Sequence, residues 1–239
     1  GSEGTLGIVV GATLRLRPRP AVTATVAAYF ASLELAAEAA VAVRSSGVQP
    51  SVLEIVDGAT LGAIDRFSGS HLRERGEAFL LAQVDGTDVT TEVASVEKAL
   101  AGATDVRSST DPALSDQLLA ARRLALPAIE ATGRALIEDI AVPPSRLAEA
   151  VRGVHAVAEA TGTTIYVFAH AGDGNLHPII VVDAAEGAEL PAAAVDAADR
   201  LFALALELGG TVTGEHGIGL LKQRWVARQV GADVDELHH

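Results

Sequence analysis

Two periods of apolar residues organise the chain. Short aliphatic and aromatic runs at residues 21–30, 51–56, 78–84, 164–169 and 178–182 are bounded by Pro, Gly, Ser or Asp and predict strands. Further strands are expected at 8–16, 105–108 and 135–142. Apolar positions recur at helical spacing over 33–44, 58–67, 90–101, 112–129, 143–160, 190–208 and 220–230. The punctuation agrees. Ser45-Ser46-Gly47 and Gly209-Gly210 stop helices, Asp85-Gly86 supplies a turn, and Asp88 or Thr90 can cap the helix that follows. Pro143-Pro144-Ser145 opens a helix where proline is tolerated, whereas Pro127 should bend or end the helix that contains it.

Strand, helix and strand alternate, but hairpin-like strand pairs also occur, so a mostly antiparallel sheet with helices on one face fits better than a doubly wound parallel sheet. The expected class is α+β. Two rounds of strand-helix-strand suggest a duplicated split βαβ unit of the ferredoxin-like kind. Arg17-Pro18-Arg19-Pro20 suits neither helix nor sheet interior, which divides the chain into a tail, 1–20, and one α+β domain, 21–239.

Composition narrows the chemistry. The 239 residues are 49% hydrophobic but only 3% aromatic, so the core must be built from closely packed small aliphatic side chains. A net charge of −13 disfavours nucleic acid and anionic lipid as partners, while a small anionic substrate stays admissible if local cations receive it. The absence of cysteine removes disulfides, thiolate zinc sites and thiol catalysis. No apolar run reaches the roughly 18 residues of a membrane-spanning helix, and the expected location is cytoplasmic or peripheral at a membrane face. Methionine is absent even at position 1, and the chain opens on the glycine-rich GSEGTLG, so a piece of a longer protein is expected.

HAGDGNLH, at 170–177, holds two of the seven histidines. In one extended strand their odd spacing would send the rings to opposite faces. The intervening Ala-Gly-Asp-Gly-Asn is turn sequence, however, and a reversal would let His170 and His177 face each other across a strand pair. Two neutral imidazoles suit a divalent metal that needs a further ligand, for which Glu215, beside His216 in Thr-Gly-Glu-His-Gly, is the candidate. Such a set leaves coordination positions open, as a catalytic ion requires. By spacing alone, a solvated polar turn without an ion stays open as well. Arg122 and Arg123 lie in an apolar helix, so at least one should face the core side or a cleft, where a guanidinium would grip a carboxylate; the alternative is snorkelling to solvent. His71 and His155 read as surface residues, and His238-His239 as a terminal pair without chemistry.

GSEGTLGIV at 1–9, SVLEIVDG at 51–58, HAGDGNLHP at 170–178 and GEHGIG at 214–219 occur in an order that resembles one family over nearly the whole chain. It is the C-terminal part of FAD-linked oxidases of the vanillyl-alcohol-oxidase type, in the branch of D-lactate dehydrogenases, glycolate oxidase flavin subunits and D-2-hydroxyglutarate dehydrogenases. The resemblance implies that an N-terminal domain holds most of the FAD. Ser2, Glu3, Gly4, Thr5, Gly7 and Ile8 would then be its last flavin-contacting segment, and the remainder a cap over the isoalloxazine. It further implies a divalent metal, Zn, Mn or Fe, on His170, His177 and Glu215, a catalytic base at His216, a substrate carboxylate on Arg122, and a polar contact from Asn175 to flavin and substrate. Hydroxyglutarate members carry a lysine in the strand before an Asp-x-x-x-Pro stretch; here Asp139 to Pro143 match that stretch and Ile137 takes the lysine's place, which speaks against a second substrate carboxylate.

The implied reaction is oxidation of a D-2-hydroxy acid, D-lactate or glycolate-like, to the 2-oxo acid with hydride transfer to FAD. A quinone, cytochrome or electron-transfer flavoprotein would reoxidise the flavin, and a homodimer is compatible. Two other readings stay open: a non-catalytic metal-binding or regulatory module on the same fold, and a metal-dependent hydrolase that uses the histidines and Glu215 without flavin.

Overall fold

The computed structural model describes residues 3–183, 185 and 189–237. Ser2 of the expected flavin-contacting segment and the His238-His239 pair lie outside the described residues.

The first half of the fold follows from strands that are apolar on both sides. β1 (Val22–Phe30), β2 (Val52–Asp57) and β3 (Ala78–Gly86) are buried over most of their length, as continuous Val, Ile, Leu and Phe runs require. Helices α1 (Leu33–Ser45) and α2 (Gly58–Ser68) start on side-chain caps: Ser32 Oγ accepts from Leu35 N at 3.3 Å, and the Asp57 carboxylate accepts from Thr60 N at 2.8 Å. α3 (Thr90–Ala99) then leads to β4 (Asp105–Ser109), and Asp88 Oδ1 accepts from Thr90 N at 2.9 Å at the start of that helix. β3 pairs antiparallel with both β1 and β2, which gives the order β4-β1-β3-β2 of a split βαβ unit.

After α4 (Pro112–Glu130) the plan repeats. β5 (Arg134–Ile137), β6 (Ile140–Ala141), α5 (Leu147–Thr161), β7 (Thr164–His170), β8 (Asn175–Val182) and α6 (Ala192–Glu207) place β8 antiparallel between β5 and β7. The two units join where β2 meets β7, with Glu54, Ile55 and Val56 opposite His170, Ala169 and Phe168. The result is one eight-stranded antiparallel sheet, followed by α7 (Gln223–Val230) and α8 (Ala232–Glu236).

The α+β class and antiparallel sheet are as expected, but the helices cover both faces. On one face Val26, Ala28, Leu80, Val167 and Ile180 pack under α1, α3, α5 and α6. On the other Ala27, Tyr29, Phe79, Leu81, Tyr166 and Ile179 pack under α2 and α4. Strands with apolar residues at both parities leave neither face to water, so both need a layer.

Three local expectations also change. Residues 8–16 form no strand; Ile8, Val9 and Val10 are 84%, 86% and 95% exposed and pair with no described strand. The run 135–142 breaks into β5 and β6 around Glu138 and Asp139, which are turned to polar work described below. Pro127 does not end its helix, which continues to Glu130; so near the C-terminal end, its missing amide costs one intrahelical bond and leaves the earlier turns intact.

Candidate functional site

The β7–β8 register sets Phe168 opposite His177 and His170 opposite Asn175. Side chains at alternate positions share a face, so His170, Phe168 and His177 line up on the α4 side of the sheet. The chain reversal is tight: Gly174 has φ +87°, and a Cβ there would lie 2.1 Å from the Val142 carbonyl oxygen. The two imidazole rings meet edge to face with centroids 5.1 Å apart. Glu215 closes the group, its Oε1 standing 3.3 Å from His170 Nε2 and 3.0 Å from His177 Nε2. One donor atom from each of the three residues lies within 4.8 Å of the others. Ligands about 2.1 Å from a common ion sit roughly 3.0–3.4 Å apart when adjacent, a range that both Glu215 distances match, and two imidazoles with one carboxylate are the donor types a divalent metal takes.

Glu215 and His216 lie on a loop that Asp139 organises. Fully buried, the Asp139 carboxylate accepts from Thr213 Oγ1 at 2.5 Å and from the backbone N–H groups of Gly214, Glu215 and His216 at 2.8, 3.1 and 2.9 Å. Thr213 Oγ1 in turn accepts from Gly217 N at 2.8 Å, and Lys222 Nζ donates to the Asp139 carbonyl at 2.7 Å. Burial raises the Asp139 pKa, but these donors outweigh it and hold the carboxyl below its ordinary range. Gly214 is required, since a Cβ would stand 2.2 Å from Asn175 Oδ1. Asn175 is buried, and its Oδ1 finds no hydrogen-bond donor among the described residues. Glu3 reaches the far end of the same loop, where its carboxylate accepts from the N–H groups of Ile218 and Gly219.

The two histidines differ electrostatically. His177 is buried and its pKa is lowered, first by that burial and then by the charge of His170, which favours the neutral, ligating form. His170 moves the other way, chiefly because its Nδ1 hydrogen-bonds Glu54 at 3.2 Å. Glu54 also takes Arg122 in a fork, with Nε at 2.8 Å and Nη2 at 3.1 Å. Burial raises the Glu54 pKa, yet the bonds from His170 and Arg122 leave it net lowered.

A cavity of about 380 Å³ opens over this face. Arg122, His170, His177 and His216 line one part of it, and Leu126, Pro127, Ile137 and Ile179 supply an apolar wall. The His216 ring stacks on that of His177 with centroids 4.8 Å apart. Arg123 also borders the cavity, where it pairs with Asp116. His71 and His155 stand apart from the site and pair with Glu74 and Glu34 at 3.2 and 3.3 Å. Glu54 and Asp139 went unassigned by sequence reasoning. The available signal was acid inside apolar runs, a lone Glu54 in VLEIV and the adjacent Glu138-Asp139 in LIEDIAV, at positions that a strand must bury.

Residues 19–239 match the family described as FAD linked oxidases, C-terminal domain. The chain belongs to that family. Among curated relatives, this FAD-linked oxidase domain is 35% identical over 228 residues to glycolate oxidase subunit GlcD of Bacillus subtilis, a match that takes in 93% of the chain and 48% of the relative. It is 32% identical to the mitochondrial D-lactate dehydrogenase [cytochrome] of Arabidopsis thaliana, over 98% of the chain and 42% of the relative. The domain thus spans about half the length of the curated relatives it matches. Its fold is similar to part of p-cresol methylhydroxylase, with a TM-score of 0.58 at 15% identity over 93% of this chain and 50% of the other. Of the expected flavin-contacting positions, Gly4, Thr5, Gly7 and Ile8 are exposed, and Glu3 is tied to the 218–219 backbone. Among the described residues, no helix is long and apolar enough to cross a membrane.

Proposed function

We propose that this chain is the substrate-binding cap of a flavin-dependent dehydrogenase that oxidises a D-2-hydroxy acid to the 2-oxo acid. The observation that carries the reading is the convergence of Arg122, His170, His177 and His216 on one cavity, with Glu215 set against both His170 and His177. Residues 1–20 are the end of an FAD-binding domain and 21–239 the cap, in keeping with the half-length match to relatives.

FAD, when bound, supplies the hydride acceptor, and Ser2, Glu3, Gly4, Thr5, Gly7, Ile8 and Asn175 are the positions assigned to contact it. A divalent ion, Zn, Mn or Fe, held by His170, His177 and Glu215 supplies Lewis acidity toward the substrate hydroxyl. Arg122 engages the substrate carboxylate through Nη1, which bonds nothing among the described residues, while Glu54 fixes the rest of the guanidinium. His216, stacked at the cavity wall, takes the hydroxyl proton. Leu126, Ile137 and Ile179 receive a short aliphatic side chain, and Arg123, the further cation bordering the cavity, is paired with Asp116, which fits a D-lactate or glycolate-like substrate. The electron acceptor is a quinone, a cytochrome or an electron-transfer flavoprotein.

The test uses the protein carrying both its flavin-binding part and this chain. Anaerobic mixing with a panel of D- and L-2-hydroxy acids should bleach the flavin with short D-acids. The His216→Ala variant should retain FAD and lose turnover. Normal turnover in that variant would remove the assigned base, and a flavin that no hydroxy acid reduces would favour the non-catalytic module.

A further inference from the structure

Glu54 stands between the two parts of the site that handle different things. It sits in the middle of β2 with 5% of its surface exposed, flanked by Leu53 and Ile55 on the opposite face. A carboxylate in such a place persists only if its oxygens are fully engaged by cations or donors. Both oxygens are engaged. Oε1 meets His170 Nδ1 at 3.2 Å and Arg122 Nη2 at 3.1 Å, and Oε2 accepts from Arg122 Nε at 2.8 Å.

The choice of nitrogen matters. With Nδ1 held by Glu54, His170 can present only Nε2 to the cavity, and Nε2 is the atom that faces Glu215 Oε1 at 3.3 Å. A carboxylate behind a ligating imidazole fixes its tautomer and ring angle and raises its basicity. The same carboxylate fixes the guanidinium plane of Arg122 through Nε and Nη2, which leaves Nη1 without a hydrogen bond among the described residues on a side chain that lines the cavity. His177 has no equivalent contact: its Nδ1 is buried without a hydrogen bond, and the nearest carboxylate, Asp139 Oδ1, lies 3.9 Å away. Of the two imidazoles, His170 is therefore the one oriented by a direct carboxylate bond.

We infer that Glu54 is a positioning residue that sets His170 for the metal and Arg122 for the substrate carboxylate at once, so that metal uptake and substrate affinity depend on one buried side chain. This rests on the metal and hydroxy-acid reading given above, and the assay separates the two. Glu54→Gln keeps the shape and removes the charge. In the protein carrying its flavin-binding part, Zn²⁺ and Mn²⁺ are titrated calorimetrically into wild type, Glu54→Gln and His170→Ala, and KM and kcat are read for D-lactate.

The expected result is a metal affinity lowered about 10–100-fold in Glu54→Gln, the usual effect of removing such a partner, with a KM that rises more than kcat falls. Glu54→Asp, which restores the charge one methylene short, should recover part of both losses, and a purely structural role would not give that rescue. If His170→Ala abolishes metal binding while Glu54→Gln binds metal and substrate within twofold of wild type, the positioning role is overturned and the metal site stands. If wild type takes up no metal, the metal reading fails, and the Arg122 arm decides: an unchanged KM in Glu54→Gln overturns the inference as well. Should Glu54→Gln not fold, the Glu54→Asp variant carries the same comparison.

Discussion

Replacing Asp139 by asparagine isolates the electrostatic part of the loop that carries Glu215 and His216. Oδ2 of the wild-type carboxylate receives one hydroxyl and three backbone N–H groups, and Glu215 N also reaches Oδ1 at 3.3 Å. A hydrogen bond to a charged acceptor contributes roughly 1 kcal/mol more than one to a neutral acceptor, and the increments are not fully additive. The substituted amide would keep one oxygen for the four donors and turn its NH2 toward His177 Nδ1, so a loss of about 3 kcal/mol is expected at pH 7. The sign with pH follows from the depressed carboxyl. Its stabilisation is complete above the unfolded value of about 3.9 and disappears as pH falls through the folded value. Urea unfolding at pH 7 should therefore show a lower midpoint for the Asp139→Asn variant at unchanged slope, and the gap to wild type should begin to narrow as pH falls below the unfolded carboxyl value. A loss below about 1 kcal/mol at pH 7, or a gap that widens as pH falls below the unfolded carboxyl value, would refute the reasoning.

Three further outcomes follow from the same geometry. Gly214→Ala places a Cβ 2.2 Å from Asn175 Oδ1, so the loop must shift; a destabilisation of about 1–3 kcal/mol with loss of metal uptake is expected, readable by thermal unfolding and calorimetry. Glu138, pushed up to about 7 chiefly by burial against the opposing pull of Lys222, favours its protonated form in the fold, so its contribution is complete below pH 4 and lost as pH rises through 7. The Glu138→Gln variant should lose less stability than wild type between pH 4 and 8, and equal losses in urea titrations would contradict the assignment. Ile137→Lys puts a cation on the apolar cavity wall and should improve kcat/KM for a dicarboxylic 2-hydroxy acid over D-lactate by at least about tenfold; an unchanged ratio would show that Ile137 does not face the substrate.

Most of the sheet was legible because strand runs and turn residues are local signals. The reversal at Ala-Gly-Asp-Gly-Asn was legible for the same reason, and it brought His170 and His177 to one face. The second helical layer was not, since an apolar run such as AFLLA states that a strand is buried without saying by what on each side. Residues 8–16 read as a strand on composition alone, yet a strand needs an edge to join, and no described strand offers one. Glu54 and Asp139 escaped for a deeper reason. Their roles depend on which residues of distant segments lie opposite, Glu54 across β7 and Asp139 beneath the 213–217 loop, and register is a long-range property.

The seam between the two sheet halves is short, with three residues of β2 opposite three of β7. Slipping that pairing by one residue would turn Glu54 to the other side of the sheet, against the apolar side chains of Leu80, Val167 and Ala169 and away from Arg122 and His170. An ionised carboxylate stranded there is a heavy penalty for misalignment, against a modest gain from three pairs of backbone contacts. The buried acid thus acts as a pairing key for the two halves of the sheet. Glu54 meets both Arg122 and His170 in the observed frame, so the register of the seam and the layout of the site are fixed by the same buried side chain.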